Sequence, residues 1–254
     1  MKNIIAIINQ KGGVGKSTTT FTLGKAFCVK GFKVLFIDLD AQGNLTYTMK
    51  TNVNSSNLTS LELLIGKIKA PKAIQHTKQG DIIASSSSLA IADSIITNTG
   101  KEYQLKKALA EILSNYDYIL IDTPPTLGIL TINALTACTG AIIPAQADIY
   151  SLQGISQLYK TISAVKEHCN PLLTVMGILL TRYNPRAIIS RDIADMIDKT
   201  AQQFQTKLYN ARIRECTAIK ESQIKQTDIF TYAKNSNAAI DYISLADEII
   251  SNEN

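Results

Sequence analysis

Residues 11–18 read Lys-Gly-Gly-Val-Gly-Lys-Ser-Thr, types and spacing suited to holding a row of phosphates. Gly12, Gly13 and Gly15 let backbone N–H groups turn toward anionic oxygens with no Cβ in the way. Lys16 has the length to reach the outer phosphates, and the Ser17 hydroxyl beside it suits Mg²⁺. Val14 and Thr18 complete the loop, and a helix starting near Lys16 adds the partial positive charge of its N-terminus. The chemistry this arrangement serves is the binding of a nucleoside triphosphate.

Three carboxylates stand where such a ligand would need them. Asp38 and Asp40 are at i, i+2 in Asp38-Leu39-Asp40-Ala41-Gln42-Gly43-Asn44, just after an apolar run. That is the strand edge where open α/β sheets bind ligands. Asp122 closes another apolar run, Ile119-Leu120-Ile121, a position suited to holding Mg²⁺ through water.

Groups this far apart in sequence meet only if several strands end together. Apolar, strand-like runs at 4–8, 34–37, 118–121, 141–144 and 175–180 alternate with helical patterns at 16–30, 104–113, 127–137, 152–167, 190–204 and 238–250. Gly31 ends the first helix. The alternation predicts an α/β fold, a mostly parallel twisted sheet with helices on both faces. Residues 49–99 are polar and irregular, with serines from Ser85 to Ser88, and are expected as loops and short helices beside the site. No stretch is rich enough in Pro, Gly or charge to act as a linker, so residues 1–254 read as one domain.

Composition narrows the class further. The 254 residues are 45% hydrophobic, ordinary for a globular protein, and no apolar run approaches the roughly 18–20 residues of a membrane helix. The N-terminus runs directly into a strand and then the phosphate loop. This argues against a cleaved signal peptide and for a cytoplasmic protein. Cys28, Cys138, Cys169 and Cys216 are widely spaced, as expected of reduced, mostly buried thiols. The net charge of +5 is mild, yet every arginine (Arg182, Arg186, Arg191, Arg212 and Arg214) falls in one stretch, a candidate polyanion footprint.

The phosphate loop opens with a second lysine, Lys11, five residues before Lys16. This KGGVGKST sequence resembles the deviant Walker A motif of the ParA/MinD group of P-loop ATPases. The likeness continues through Asp38–Asn44, where Ala41 replaces the proline of the family's D-x-D-P-Q-G-N. It extends through Ile119–Asp122 and Thr123-Pro124-Pro125, then Ile143–Asp148 with Ser151-Leu152-Gln153-Gly154, and reaches Leu179–Asn184. The resemblance implies ATP and Mg²⁺ as ligands and a slow ATPase that forms a homodimer with ATP. Lys11 would cross the dimer interface to the partner's phosphates, and Asp40 would orient or activate the attacking water. Asp38 would support the Mg²⁺ shell, and Asp122 and Ser17 would hold the ion. The segment 143–154 would line the interface. The end of the following strand would contact adenine, with Arg214 stacking near the base.

Members of the group differ in what they act on. A MinD-like tail would be an amphipathic helix with a basic face. Here it carries Asp241, Asp247, Glu248 and Glu253 and is expected to dock on its own domain, with no membrane role. A nitrogenase-reductase-like carrier would need two cysteines placed to share a cluster, and none follows Asp122 suitably. The remaining type is a small Soj-like or plasmid-type ParA without an N-terminal helix-turn-helix. That resemblance implies non-specific DNA binding by the ATP-bound dimer through Arg182, Arg186, Arg191, Arg212 and Lys220. It also implies a ParB-like centromere-binding partner that stimulates hydrolysis, and nucleoid association in the ATP state. The family's E-A-P-S-x-G segment is absent, and residues 217–227 read TAIKESQIKQT instead. A positioning ATPase acting on a protein or membrane surface is the alternative that shares this core.

Overall fold

A computed structural model of the chain describes residues 3–51 and 58–252. Residues 52–57 of the irregular segment, and Glu253 of the acidic tail, lie outside the described residues. The chain opens with β1 (Asn3–Ile7), α1 (Lys16–Val29), β2 (Val34–Asp38) and α2 (Asn44–Thr48). Next come α3 (Ser60–Leu64), α4 (Ala70–Ala73), β3 (Ile74–Thr77), β4 (Gly80–Ile83), α5 (Ala92–Ile95) and α6 (Gln104–Leu109). Then follow β5 (Tyr118–Asp122), α7 (Ile129–Ala137), β6 (Gly140–Gln146), α8 (Ile149–His168), β7 (Thr174–Thr181) and α9 (Ile188–Gln203). Last are α10 (Thr217–Ile224), α11 (Ile229–Tyr232) and α12 (Asn237–Ser251).

The strands form one seven-stranded sheet in the order β3-β4-β2-β5-β1-β6-β7. Every pairing is parallel except β3 with β4. Both faces are covered, because the strands alternate two sets of apolar side chains. β1 and the residue after it send Ile4, Ala6 and Ile8 into one core with α6, α7 and α8, while Ile5 and Ile7 enter a second core with α1 and α12. Burying each such aliphatic side chain is worth about 1.5–3 kcal/mol, so this two-sided burial dominates the sheet's stability.

The mostly parallel sheet and its five anticipated strands are present. The β3–β4 hairpin is a correction to the expectation of loops and short helices across 49–99. Its strands are four residues each, and β3, Ile-Gln-His-Thr, contains only one aliphatic residue. Such a short edge ribbon lacks a periodic apolar signal and exists because β4 pairs with β2. The helix expected over 104–113 ends at Leu109, and a 3₁₀ turn at Leu113–Asn115 leads into β5.

The approach of α1 to the sheet fixes where the phosphate loop sits. At Gly24 a Cβ would stand 3.0 Å from Leu120 Cδ1 and would drive into the Phe36 ring. The Gly24→Ala chain should therefore lose about 1–3 kcal/mol of stability through overpacking, read as a lower urea midpoint. An unchanged midpoint would mean that α1 can lift off the sheet without cost.

Candidate nucleotide-binding site

The turn between β1 and α1 carries the glycine-rich loop. Gly13 and Gly15 have φ of 75° and 86°, left-handed values that a side chain would strain. Neighbouring strands hold the loop. Asn9 Oδ1 accepts the Lys11 N–H at 2.9 Å, and its Nδ2 donates to the Pro144 carbonyl at 2.7 Å. Thr181 Oγ1, at the end of β7, donates to the Val14 carbonyl at 2.8 Å, and Gln146 Nε2 donates to that of Gly13 at 3.1 Å. Lys16 Nζ donates to the Lys11 carbonyl at 3.1 Å, so the ammonium lies across the loop. Burial lowers the pKa of Lys16, against the charges of Asp122 and Asp40, which favour its protonated form.

The acidic side of the site follows from strand register. Asp38 and Asp122 are paired neighbours at the ends of β2 and β5, both fully buried. Asp38 Oδ1 accepts the Asp40 N–H at 3.0 Å, and Oδ2 accepts the Thr46 N–H at 2.8 Å and hydroxyl at 2.7 Å. Both Asp38 oxygens are thus engaged in shaping the turn that follows. Burial raises its pKa to about 6; the Thr46 and Asp40 hydrogen bonds oppose the rise and the Asp40 charge adds to it. Asp122 is pushed well above the ordinary carboxylate range, first by burial and then by the Asp38 charge, with Ser17 and Lys16 opposing. Its Oδ1 accepts a long bond from Thr20 at 3.4 Å, and among the described residues its buried Oδ2 has no hydrogen-bond partner. An orphaned carboxylate oxygen among buried acids, close to Ser17, fits a hard divalent cation such as Mg²⁺.

Asp40 lies nearer the opening. Its Oδ1 accepts the Gln42 N–H at 3.0 Å, and the residue lines, with Gly13, Lys16, Ser17 and Thr18, a cleft of 650 Å³. Beside Thr18 a narrower cleft of 80 Å³ is walled by Val14, Ile213 and Ile219, an apolar slot of the kind a base can enter.

Residues far along the chain close this side, and sequence reading did not anticipate them. The 217–227 segment, where the family's proline-rich stretch is absent, forms α10 over the loop. Gln223 Nε2 donates to Thr18 Oγ1 at 3.0 Å, and Gln226 Nε2 to the Tyr47 carbonyl at 2.7 Å. A lone glutamine in a polar helix carries no signal, because its role exists only once α10 folds back on α1.

The other anticipated residues are placed as follows. Lys11 Nζ pairs with Asp148 Oδ2 at 2.6 Å, within the same chain, beside the exposed Ile149 and Tyr150. Arg214 has its guanidinium engaged by Asp241, with Nη2 to Oδ1 at 2.7 Å and Nε to Oδ2 at 3.0 Å, although the residue still borders the narrow cleft. Arg182, with φ of 49°, and Lys220 line both clefts. Arg212 lies over the Tyr183 ring at 4.8 Å and donates to its hydroxyl at 2.8 Å. Arg186 and Arg191 are exposed around the start of α9. The arginine cluster of the sequence is therefore divided among the clefts, the Tyr183 ring and the start of α9.

The fold and loop define a P-loop nucleotide-binding domain, and residues 2–175 match the model of the family described as AAA domain. The chain is 36% identical to the sporulation initiation inhibitor protein Soj of Bacillus subtilis, covering 99% of this chain and 100% of that one. It is 34% identical to the chromosome partitioning protein ParA of Caulobacter vibrioides, over 98% and 94% of the two chains. Among solved structures, cobyrinic acid a,c-diamide synthase from Mycobacterium smegmatis with bound ADP and magnesium superposes with a TM-score of 0.86 at 32% identity, covering 100% of this chain and 96% of that one. The chain belongs to the ParA/Soj family of ATPases.

Two measurements probe the site directly. Asp38 titrates near 6 when folded, whereas an unfolded carboxylate titrates near 4, so the folded chain holds the extra proton between those values. Stability contributed by this group therefore falls as pH rises from about 4 to 6. Urea unfolding at the two ends of that window should show wild type losing on the order of 2 kcal/mol relative to Asp38→Asn. A constant difference would place the titration elsewhere. Separately, Gln223→Ala should release a fluorescent ATP analogue several-fold faster, as expected for a lost hydrogen bond of about 1 kcal/mol. An unaltered off-rate would show that α10 does not restrain the nucleotide.

Proposed function

We propose that the chain is an ATP-hydrolysing dimerisation switch for partitioning DNA, plasmid or chromosomal. The carrying observation is the site itself: Lys16 of the glycine-rich loop lies within electrostatic reach of buried Asp122 and Asp40, and Asp38 is the strand neighbour of Asp122. In this reading the residues Lys11 to Thr18 bind ATP, with Lys16 on the outer phosphates. Ser17 and Asp122 hold Mg²⁺, with Asp38 behind them organising the turn. The ion would neutralise phosphate charge. Asp40, whose second oxygen is not used by its own turn, orients the attacking water.

Lys11 serves the partner subunit's phosphates. Its ammonium is held by Asp148 outside its own loop, next to exposed apolar side chains that suit an interface, which supports this role. Basal turnover is slow, so the ATP state persists until a ParB-like partner stimulates hydrolysis. The ATP-bound dimer binds DNA without sequence preference through Arg182, Arg186, Arg191, Arg212 and Lys220, and Arg214 supports the base pocket. The protein is cytoplasmic and nucleoid-associated when ATP-bound. Full-length likeness to the Soj and ParA proteins supports the partition assignment. Among the described residues no helix is long and apolar enough to cross a membrane.

One observation favours a second reading. The outer surface of α9 places Asp192, Asp195 and Asp198 next to Arg191 and exposes Ile188, Ile189 and Met196. A mixed-charge, apolar surface suits a protein better than a polyanion, which points to a positioning ATPase that acts on a protein scaffold.

Binding to random-sequence duplex DNA with ATP, ADP or no nucleotide, over a salt series, separates the two. The partition reading expects ATP-dependent binding that weakens steeply with salt, and an Asp40→Ala chain that stays bound. DNA ignored in every state, with ATP still driving dimerisation, would transfer the assignment to the scaffold-positioning class.

A further inference from the structure

The turn that carries Asp40 is gripped from outside by residues of the segment following β4. Ser85 is buried, and its hydroxyl donates to the Asp40 carbonyl at 2.5 Å. Its N–H donates to Thr46 Oγ1 at 2.8 Å, and that same hydroxyl donates to Asp38 Oδ2 at 2.7 Å. Ser60 Oγ donates to the Asp38 carbonyl at 2.8 Å, and the Ser60 N–H donates to the Ala84 carbonyl at 2.8 Å. The backbone on either side of Leu39 is therefore fixed at both carbonyls by hydroxyls from residues 60 and 85.

The same segment reaches the other acidic strand. Beyond Ser85 the chain runs to Asp93, whose Oδ1 accepts the Ile129 N–H at 2.8 Å at the start of α7. That helix begins just after the Asp122-Thr123-Pro124-Pro125 turn. Gly128 is fitted to this contact, because a Cβ there would stand 2.6 Å from Asp93 Oδ2. One stretch of backbone, 85–93, thus ties the turn after β2 to the turn after β5.

We propose that Ser85 is a positioning residue for ATP hydrolysis, acting with Thr46 to aim the Asp40 carboxylate. The proposal rests on the reading of Asp40 as the water-orienting group. Asp40 Oδ1 is taken by the Gln42 N–H, so the direction of the remaining oxygen follows the orientation of the turn as a whole. Rotation of that turn by a few tenths of an ångström would misdirect a water-activating oxygen without touching the phosphate loop, and rate is far more sensitive than binding to such a displacement. Among the described residues the hydrogen bonds of Ser85 go to Thr46 and Asp40 and none to Gly12–Thr18, so its loss is expected to leave nucleotide affinity nearly unchanged.

The test compares the wild-type chain with Asp40→Ala, Ser85→Ala, Thr46→Val, Thr46→Ser and the Ser85→Ala/Asp40→Ala double variant. Single-turnover hydrolysis of ATP with Mg²⁺ gives the rate constant, and equilibrium binding of a fluorescent ATP analogue gives Kd. The expected result is a rate lowered about tenfold in Ser85→Ala and Thr46→Val, with Kd within about twofold of wild type. Thr46→Ser, which keeps the hydroxyl, should turn over near the wild-type rate. The Ser85→Ala/Asp40→Ala double variant should be no slower than Asp40→Ala alone, since both act through one carboxylate. A wild-type rate in Ser85→Ala beside a slow Asp40→Ala would overturn the proposal alone. So would a Kd that weakens in step with the rate, because that marks general loss of structure. A wild-type rate in Asp40→Ala would remove the water-orienting reading and the proposal with it.

Discussion

Everything near the site answers to the burial of three carboxylates at one end of a parallel sheet. Asp38 and Asp122 are brought side by side by the pairing of β2 with β5, and neither reaches solvent. Buried like charges are costly unless counter-charge or donors meet them. Here Lys16, the N-terminus of α1, two backbone amides and the Thr46 hydroxyl supply part of that compensation. Among the described residues Asp122 Oδ2 meets no donor, a position whose chemistry suits a divalent cation. The glycine-rich loop, the register of the central strands and the strapping of residues 38–46 are coordinated solutions to this one electrostatic demand.

What the sequence made legible follows the range of the interactions. The phosphate loop is a local object: three glycines, a lysine and a hydroxyl act within a single turn, so eight residues suffice to recognise it. The five central strands could be read for a related reason. Being covered on both faces, they must be continuously apolar. The hairpin of β3 and β4 is held by its register with β2 and by little of its own composition. Residues 49–99 therefore looked formless although they include the strap that ends at Asp93.

The narrow side of the cleft, beside Thr18, was the least readable part. Val14 and Thr18 meet Ile213, Ile219 and Gln223 there, residues some two hundred positions apart. Clustering in sequence also proved a poor guide to clustering of role. Arg214 is engaged by Asp241 of α12, Arg212 rests on Tyr183, and Arg182 turns to the cleft through a left-handed backbone. The carboxylates of α12 give the acidic tail its purpose. Asp241 holds Arg214 and Glu248 accepts the N–H groups of Asn210 and Ala211, so the helix docks on its own domain and orders the segment leading to α10.

The hydroxyls of Thr19 and Tyr242 meet at 3.1 Å in the core, joining the helix of the phosphate loop to α12 across 223 residues of chain. In synthesis the phosphate loop emerges some two hundred residues before α12. Until α12 is made, the nascent chain displays a loop with the right residues but without the α12 contacts that pack its helix. Contacts of such long sequence separation carry a loop-closure cost that slows folding. Seating of the phosphate-loop helix is in this sense timed by synthesis: its core contact waits for α12 to emerge and close on α1.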